Sequence, residues 1–157
     1  EDHIKPAVER LGALDLWQIA MKPGKPFAYG TVRRDAGAGA DANRPCHFIG
    51  LPGNPVSSFV TFLLLVRPFL LRLQGAAALA PQFIALPAHF TLEKAEKRRE
   101  FLRVRRNAAG GLDLFANQSS GVLTSAVWGD GLVDHPAGAT IAHGDPVRFV
   151  AFSELLA

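Results

Sequence analysis

Residues 48–68 read FIGLPGNPVSSFVTFLLLVRP, and three local signals in this stretch set the fold class. Cys46 to Leu51 is an apolar run punctuated by Gly50 and closed by Pro52-Gly53, the pattern of a short buried strand that ends in a tight turn. Asn54 then suits the N-cap, and Pro55 the first helical position, because proline has no N–H to leave unpaired there. Beyond it, Phe59, Val60, Phe62, Leu63, Leu64 and Val66 lie almost all round the helix. They predict a largely buried helix, kinked at Pro68 and ended by Gly75. An Asn54 side chain accepting from the N–H of Val56 or Ser57 would leave other first-turn donors open. With the helix dipole and the hydroxyls of Ser57 and Ser58, those donors would form an anion site. The plain alternative is a purely structural strand, turn and helix.

Working outward, Ile4, Ala7, Val8 and Leu11 fall on one helical face with Gly12 as the stop. Leu14 to Met21 and Phe27 to Val32 read as strands, and Asp35 to Pro45 (DAGAGADANRP) as a surface loop. At Gly75 the period changes. GAAALAP is a linker, and short strand candidates follow at Gln82 to Leu92, Phe101 to Arg106, Leu112 to Phe115, Gly131 to His135 and Val147 to Phe152. The expected organisation is therefore α/β plus all-β. Residues 1–75 form part of an α/β domain with an incomplete parallel sheet, 76–81 a linker, and 82–157 a small antiparallel β-barrel or sandwich. With no initiating Met, the chain reads as a piece of a longer one.

The 157 residues are 48% hydrophobic, enough for a real core. A net charge of +3 suits anionic ligands but does not demand nucleic acid. The single cysteine, Cys46, cannot form an internal disulfide. No leader-like segment opens the sequence, and the helical part of the central apolar run reads as too short to span a bilayer. The expectation is a cytoplasmic protein, bound neither to membrane nor to nucleic acid. The five histidines show no metal-ligand spacing, and no phosphate-binding glycine loop or nucleophile elbow is present.

Two basic stretches could carry chemistry. Lys22-Pro23-Gly24-Lys25 fits a type II turn, which would hold the two lysine Cα atoms within about 7 Å. It reads either as a solvated turn or as an anion clamp completed by the helix start at Ser57. Lys94 to Arg106 (KAEKRREFLRVRR) is the densest basic run. On a strand, Arg99, Phe101 and Arg103 would share one face and Glu100, Leu102 and Val104 the other. The plain reading of that run is a charged edge strand.

GLPGNPVSSF with the following VRP, together with KPGKPFAYG at residues 22–30, resembles the molybdopterin molybdenumtransferase family, to which the gephyrin E domain is related. The resemblance implies the carboxyl-terminal part of such an enzyme: half of its three-layer molybdopterin-binding α/β domain, then its terminal β-barrel domain. It implies insertion of molybdate into adenylylated molybdopterin with release of AMP, helped by Mg²⁺, in a homodimer. It carries over Lys22 and Lys25 as catalytic, and Lys22, Lys25, Pro26 and Ser57 as molybdate- or phosphate-binding. Gly50, Pro52, Gly53, Asn54 and Pro55 become the loop framing the site. Asp2 matches the family's catalytic aspartate, which the resemblance implies as a Mg²⁺ ligand, although a carboxylate there is also a good helix cap. Arg98 and Arg103 match the arginines of the family's GRxEFxR motif, with Lys97 in place of its glycine. Which of Arg98, Arg99 and Arg103 faces the site stays open. Asn117 to Ser125 matches NQxSxxLxS, making Ser119 or Ser120 the oxyanion contact; a plain Gly/Ser turn is the alternative. Two other uses remain: a gephyrin-like module that binds a partner without turnover, and a basic nucleic-acid-binding barrel.

Overall fold

The computed structural model describes residues 3–34 and 44–157, so Asp2 and most of the 35–45 loop lie outside the described residues. Helix α1 (Ile4–Leu11) forms as the apolar spacing requires. Gly12 ends it and at once opens β1 (Gly12–Leu16), passing so close to β3 (Ala28–Val32) that a Cβ there would lie 1.9 Å from the Thr31 carbonyl oxygen. With β4 (Cys46–Gly50), these strands make a three-stranded sheet in the order β1-β3-β4. Both pairings are antiparallel, against the expected parallel sheet. Val32 faces Cys46 across the β3/β4 pair, so the chain between them only has to turn back, whereas a parallel pair would need a crossover.

The second sheet joins both ends of the sequence. Its order is β2 (Met21–Lys22), β6 (Arg99–Arg106), β8 (Gly131–His135), β9 (Pro146–Ala151), β5 (Ile84–Pro87), with β7 (Leu112–Leu114) also paired to β6. An isolated bridge between Ala88 and Leu112 links the chain after β5 to β7. The β2/β6 pair is parallel, Met21 facing Arg99 and Lys22 facing Glu100, which stitches the lysine turn into this sheet. The basic run is therefore an interior strand, not a charged edge, because β6 has β2, β8 and β7 beside it. Its alternation is the expected one. Phe101 faces a core with Val56, Val60 and Leu63, and Leu102 and Val104 face another with Val133 and Phe149.

The central helix departs from expectation in three ways. It runs as α2 (Pro55–Thr61), a π-helical turn (Phe62–Val66) and α3 (Arg67–Leu73), so it widens in the turn ahead of Pro68. The proline ring would clash with the carbonyl of residue 64 in an α turn, and an extra residue in the preceding turn relieves this. Only one stripe is deeply buried (Val56, Val60, Leu63, Val66); Phe62, Leu70 and Leu73 are exposed. The continuous run Pro55–Leu73, 19 residues, is long and apolar enough to cross a membrane by length and composition. It was expected to be too short; what marks it as a core helix is the stripe seated on the second sheet.

That packing crosses the expected linker. Residues 74–83 carry no regular element, yet Met21, Val56, Val60 and Leu63 share one core with Phe101, Leu132, Val150 and Leu155. The parts before and after the linker are packed as one unit. Phe101→Ala, which empties the middle of that core, should cost roughly 3–5 kcal/mol. Urea unfolding followed by the fluorescence of Trp17 and Trp128 and by far-UV circular dichroism should move to lower denaturant as a single coincident transition; separate transitions would mean that the two parts unfold independently.

Candidate active site: a cationic cleft between helix start and sheet

Gly24 sets the shape of the lysine turn. Its φ is +122°, a side chain there would come within 2.4 Å of Thr61 Cγ2, and so only glycine lets the turn lie against α2. The Lys22–Pro23 peptide is cis, so the turn is not the trans-proline type II turn expected. Thr61 itself is fully buried and donates its hydroxyl to the carbonyls of Ser57 and Ser58, fixing the first turns of the helix.

Between this turn and the helix start lies a cleft of about 370 Å³. Lys22, Lys25, Pro26, Ser57, Arg98, Ser119 and Ser120 all line it, with Pro23, Gly24, Asn54 and Gln118. The structure thus gathers most of the expected site residues from four separate stretches. Asp2 lies outside the described residues. Gly50, Pro52 and Gly53 line a second, more apolar cleft of about 500 Å³ with Trp17 and Phe48, which meets the first at Pro26. Pro55 opens the helix and lines neither cleft.

The helix start is wired differently from the expected N-cap. Asn54 makes no cap hydrogen bond; its side-chain amide donates to Ser120 Oγ at 3.0 Å. The Val56 N–H donates to the Ser120 carbonyl at 3.1 Å. Ser58 spends its hydroxyl on the Pro52 carbonyl. The 117–121 loop, not the Asn54 side chain, therefore caps the helix, and this places Ser119 and Ser120 at the cleft.

The arginines separate cleanly. Arg98 lines the cleft and donates to the Met21 carbonyl at 3.3 Å. Arg99 points to Asp134 with two bonds of 2.6 Å, which raise its pKa above the ordinary arginine value. Arg103 is fully buried and does not line the cleft. It sits beneath, donating to Ser125 Oγ (3.1 Å) and to the carbonyls of Phe101 and Ser119 (both 3.3 Å). Its backbone is locked to Gln118, whose side-chain oxygen accepts from the Arg103 N–H and whose amide donates back to the Arg103 carbonyl. Burial pushes its pKa down to about 10.

One feature escaped the sequence. The Lys22 ammonium is ion-paired to Glu96 at 3.0 Å and Glu100 at 3.1 Å. The positive charge of Lys22 beside Lys25 is thus offset by carboxylates. Burial alone would lower the Lys22 pKa, but hydrogen bonds and charge from the two glutamates outweigh it and leave it raised. The hydrogen bond from Lys22, then its charge, holds Glu96 below the usual carboxylate value. Gln118 was also missed, although it is the Q of the NQxSxxLxS stretch. Among the described residues, no group of three or more His, Cys, Asp or Glu side chains could hold a metal ion.

Comparison with known proteins adds the following. Residues 1–72 match the family model "Probable molybdopterin binding domain", and residues 85–152 the model "MoeA C-terminal region (domain IV)". The molybdopterin molybdenumtransferase of Haemophilus influenzae is 41% identical over 104 residues, covering 65% of this chain and 23% of that protein. The molybdenum cofactor synthesis protein cinnamon of Drosophila melanogaster is 33% identical over 146 residues, covering 87% of this chain and 22% of that protein. The crystal structure of the molybdopterin biosynthesis MoeA protein from Pyrococcus horikosii superposes with a TM-score of 0.72 at 28% identity, covering 94% of this chain and 34% of that one. The chain thus spans about a quarter to a third of the length of these relatives.

Arg103→Met should strip two carbonyls and a hydroxyl of their donor in a dry setting, at a cost of roughly 3 kcal/mol in urea unfolding. Arg103→Lys should recover little, because a single ammonium cannot span the acceptors that a planar guanidinium reaches. Stability of the lysine variant equal to that of the unmodified chain would show that the fork is not what holds the 117–121 loop.

Proposed function

Since the chain belongs to the MoeA and gephyrin family of molybdenum cofactor biosynthesis, we propose that its cationic cleft holds the oxyanion in a molybdenum insertion reaction. In that reaction molybdate enters the dithiolene of adenylylated molybdopterin and AMP leaves. The observation that carries this is the convergence of Lys22, Lys25, Arg98, Ser57, Ser119 and Ser120 on one cleft.

The chemistry explains why such a cleft is needed. Molybdate is a dianion and must approach a phosphate-bearing substrate. Each pair of like unit charges about 4 Å apart costs about 1 kcal/mol in water, and about 4 at an effective dielectric near 20. Fixed cations offset that repulsion without reorganising at the moment of reaction. Lys25, exposed at the rim, is suited to first capture, and Arg98 offers a planar fork to an oxyanion. The Ser57, Ser119 and Ser120 hydroxyls would orient the oxygens that are not displaced. The adjoining cleft with Trp17 and Phe48 would take the flat part of the organic substrate.

A Mg²⁺ ion, if it takes part, would screen the phosphate. The described residues offer no carboxylate cluster for it, since Glu96 and Glu100 are committed to Lys22, and Asp2 stands alone as its proposed ligand. No step here depends on it. We further propose a cytoplasmic, homodimeric full-length enzyme.

Thermal unfolding with and without molybdate tests the cleft. Molybdate at a hundredfold excess over its dissociation constant should stabilise the chain by about 2.7 kcal/mol. Lys25→Ala should lose most of that gain, while its ligand-free stability stays unchanged. Arg33→Ala, which removes an exposed cation bonded to the Arg10 carbonyl outside the cleft, should keep it. Equal molybdate shifts in all three proteins would remove the cleft from consideration.

A further inference from the structure

Lys22 is held by two carboxylates in two different settings. Glu100 belongs to the interior strand β6, and its side chain is 4% exposed. It cannot withdraw from Lys22 without leaving a charge buried and unpaired. Glu96 lies in the connection that leads into β6, and its side chain is 32% exposed, so it can turn into water at little cost. The Lys22 ammonium has three protons to donate, and the two glutamates take two of them. An oxyanion entering the cleft needs those same protons.

We propose that Glu96 is an internal stand-in for the bound oxyanion: it occupies Lys22 while the cleft is free and gives it up when an oxyanion arrives, whereas Glu100 stays and keeps the ammonium aimed. This rests on the cleft being the oxyanion site. An ammonium between two carboxylates presents a net negative charge to an incoming dianion, and once Glu96 has turned away that trio becomes a neutral pair. Lys22 stays protonated throughout, in keeping with its raised pKa. Glu96 thereby sets how strongly an anion must bind to open the cleft, and it favours dianions such as molybdate or phosphate over weakly charged competitors. The charged groups facing Glu96 are Lys22, with Lys94 and Arg98 at longer range. Glu100 faces the Lys22 ammonium, with the titratable His135 opposite it on β8 and Arg103 further along its own strand.

Sulfate is the probe, because it stays a dianion through the carboxylate titration range. Calorimetric titration of the 157-residue chain would compare the unmodified protein with Glu96→Gln, Glu93→Gln and Lys25→Ala. Glu93 is exposed in the same connection, so its substitution removes the same charge without touching Lys22. Glu96→Gln should bind sulfate about threefold to fivefold more tightly, the range expected when a solvent-accessible ion pair no longer competes. Glu93→Gln should gain less than about 1.5-fold, since a more distant charge is screened. The pair lowers the Glu96 pKa, so protonation begins below the ordinary carboxylate range. As pH falls there, the affinity of the unmodified chain should climb toward that of Glu96→Gln, whose own profile is flatter. An unchanged or weaker Glu96→Gln, a gain matched by Glu93→Gln, or parallel pH profiles would each overturn the stand-in while Lys25→Ala still reports an intact cleft. Sulfate binding unaffected by Lys25→Ala would instead sink the oxyanion site, and this inference with it.

Discussion

The seating of one helical stripe on one sheet face governs everything else in this molecule. Val56, Val60 and Leu63 press onto Phe101, Leu132 and Val150, and Met21 closes the same core from β2. Apolar burial of this kind is non-directional, so by itself it would tolerate many arrangements. Direction comes from contacts at the helix start, where Gly24 fits against Thr61 and the Ser120 carbonyl takes the Val56 N–H. Those contacts fix how far along the sheet the helix sits. The cleft is the space left between them, so it exists only while both parts of the chain are packed together.

Arg103 shows how that space is kept in register. A fully buried guanidinium without a carboxylate in hydrogen-bond contact is costly, and burial depresses its pKa. Its donors are met by carbonyls and a hydroxyl that belong to the strand, the 117–121 loop and α4 (Thr124–Trp128). One side chain therefore ties the strand to the loop and helix that follow it 16 and 22 positions further on. Its charge also lies just under Ser119, where it adds positive potential to the cleft floor without occupying the cleft.

Much of this was legible in the sequence because local signals and the burial they serve agree. Helix α1, strand β4 and the helix beginning at Pro55 follow directly from apolar spacing and from Gly and Pro punctuation. Most of the residues lining the cleft were named from their motifs, Gln118 excepted, and Arg98, Ser119 and Ser120 line it together with Lys22 and Lys25. What could not be read depends on pairing between distant residues. Nothing near Met21 announces a parallel partner at Arg99, and that pairing, with β7 and β8, makes the basic run an interior strand instead of an edge. The Asn54 cap failed for the same reason, because the competing acceptor comes from Ser120. Glu96 and Glu100 were passed over as parts of a charged run, since their partner is more than seventy positions away. The antiparallel first sheet was missed because apolar runs specify strands but not their direction.

A site for small, highly charged anions faces two opposing demands. Cations strong enough to hold a dianion repel one another when it is absent, and they would retain any anion indiscriminately. Placing Lys22, Lys25 and Arg98 around one cleft meets the first demand, and leaving the cleft uncompensated would fail the second. The carboxylates on Lys22 reconcile the two. Buried Glu100 neutralises the lysine permanently within the sheet, so the fold does not depend on ligand for its charge balance. Partly exposed Glu96 supplies a second negative charge that water can take back. In the proposed exchange, the anion that displaces it must interact with Lys22 better than a partly solvated carboxylate does, a requirement that would favour doubly charged oxyanions over chloride or a monoanion.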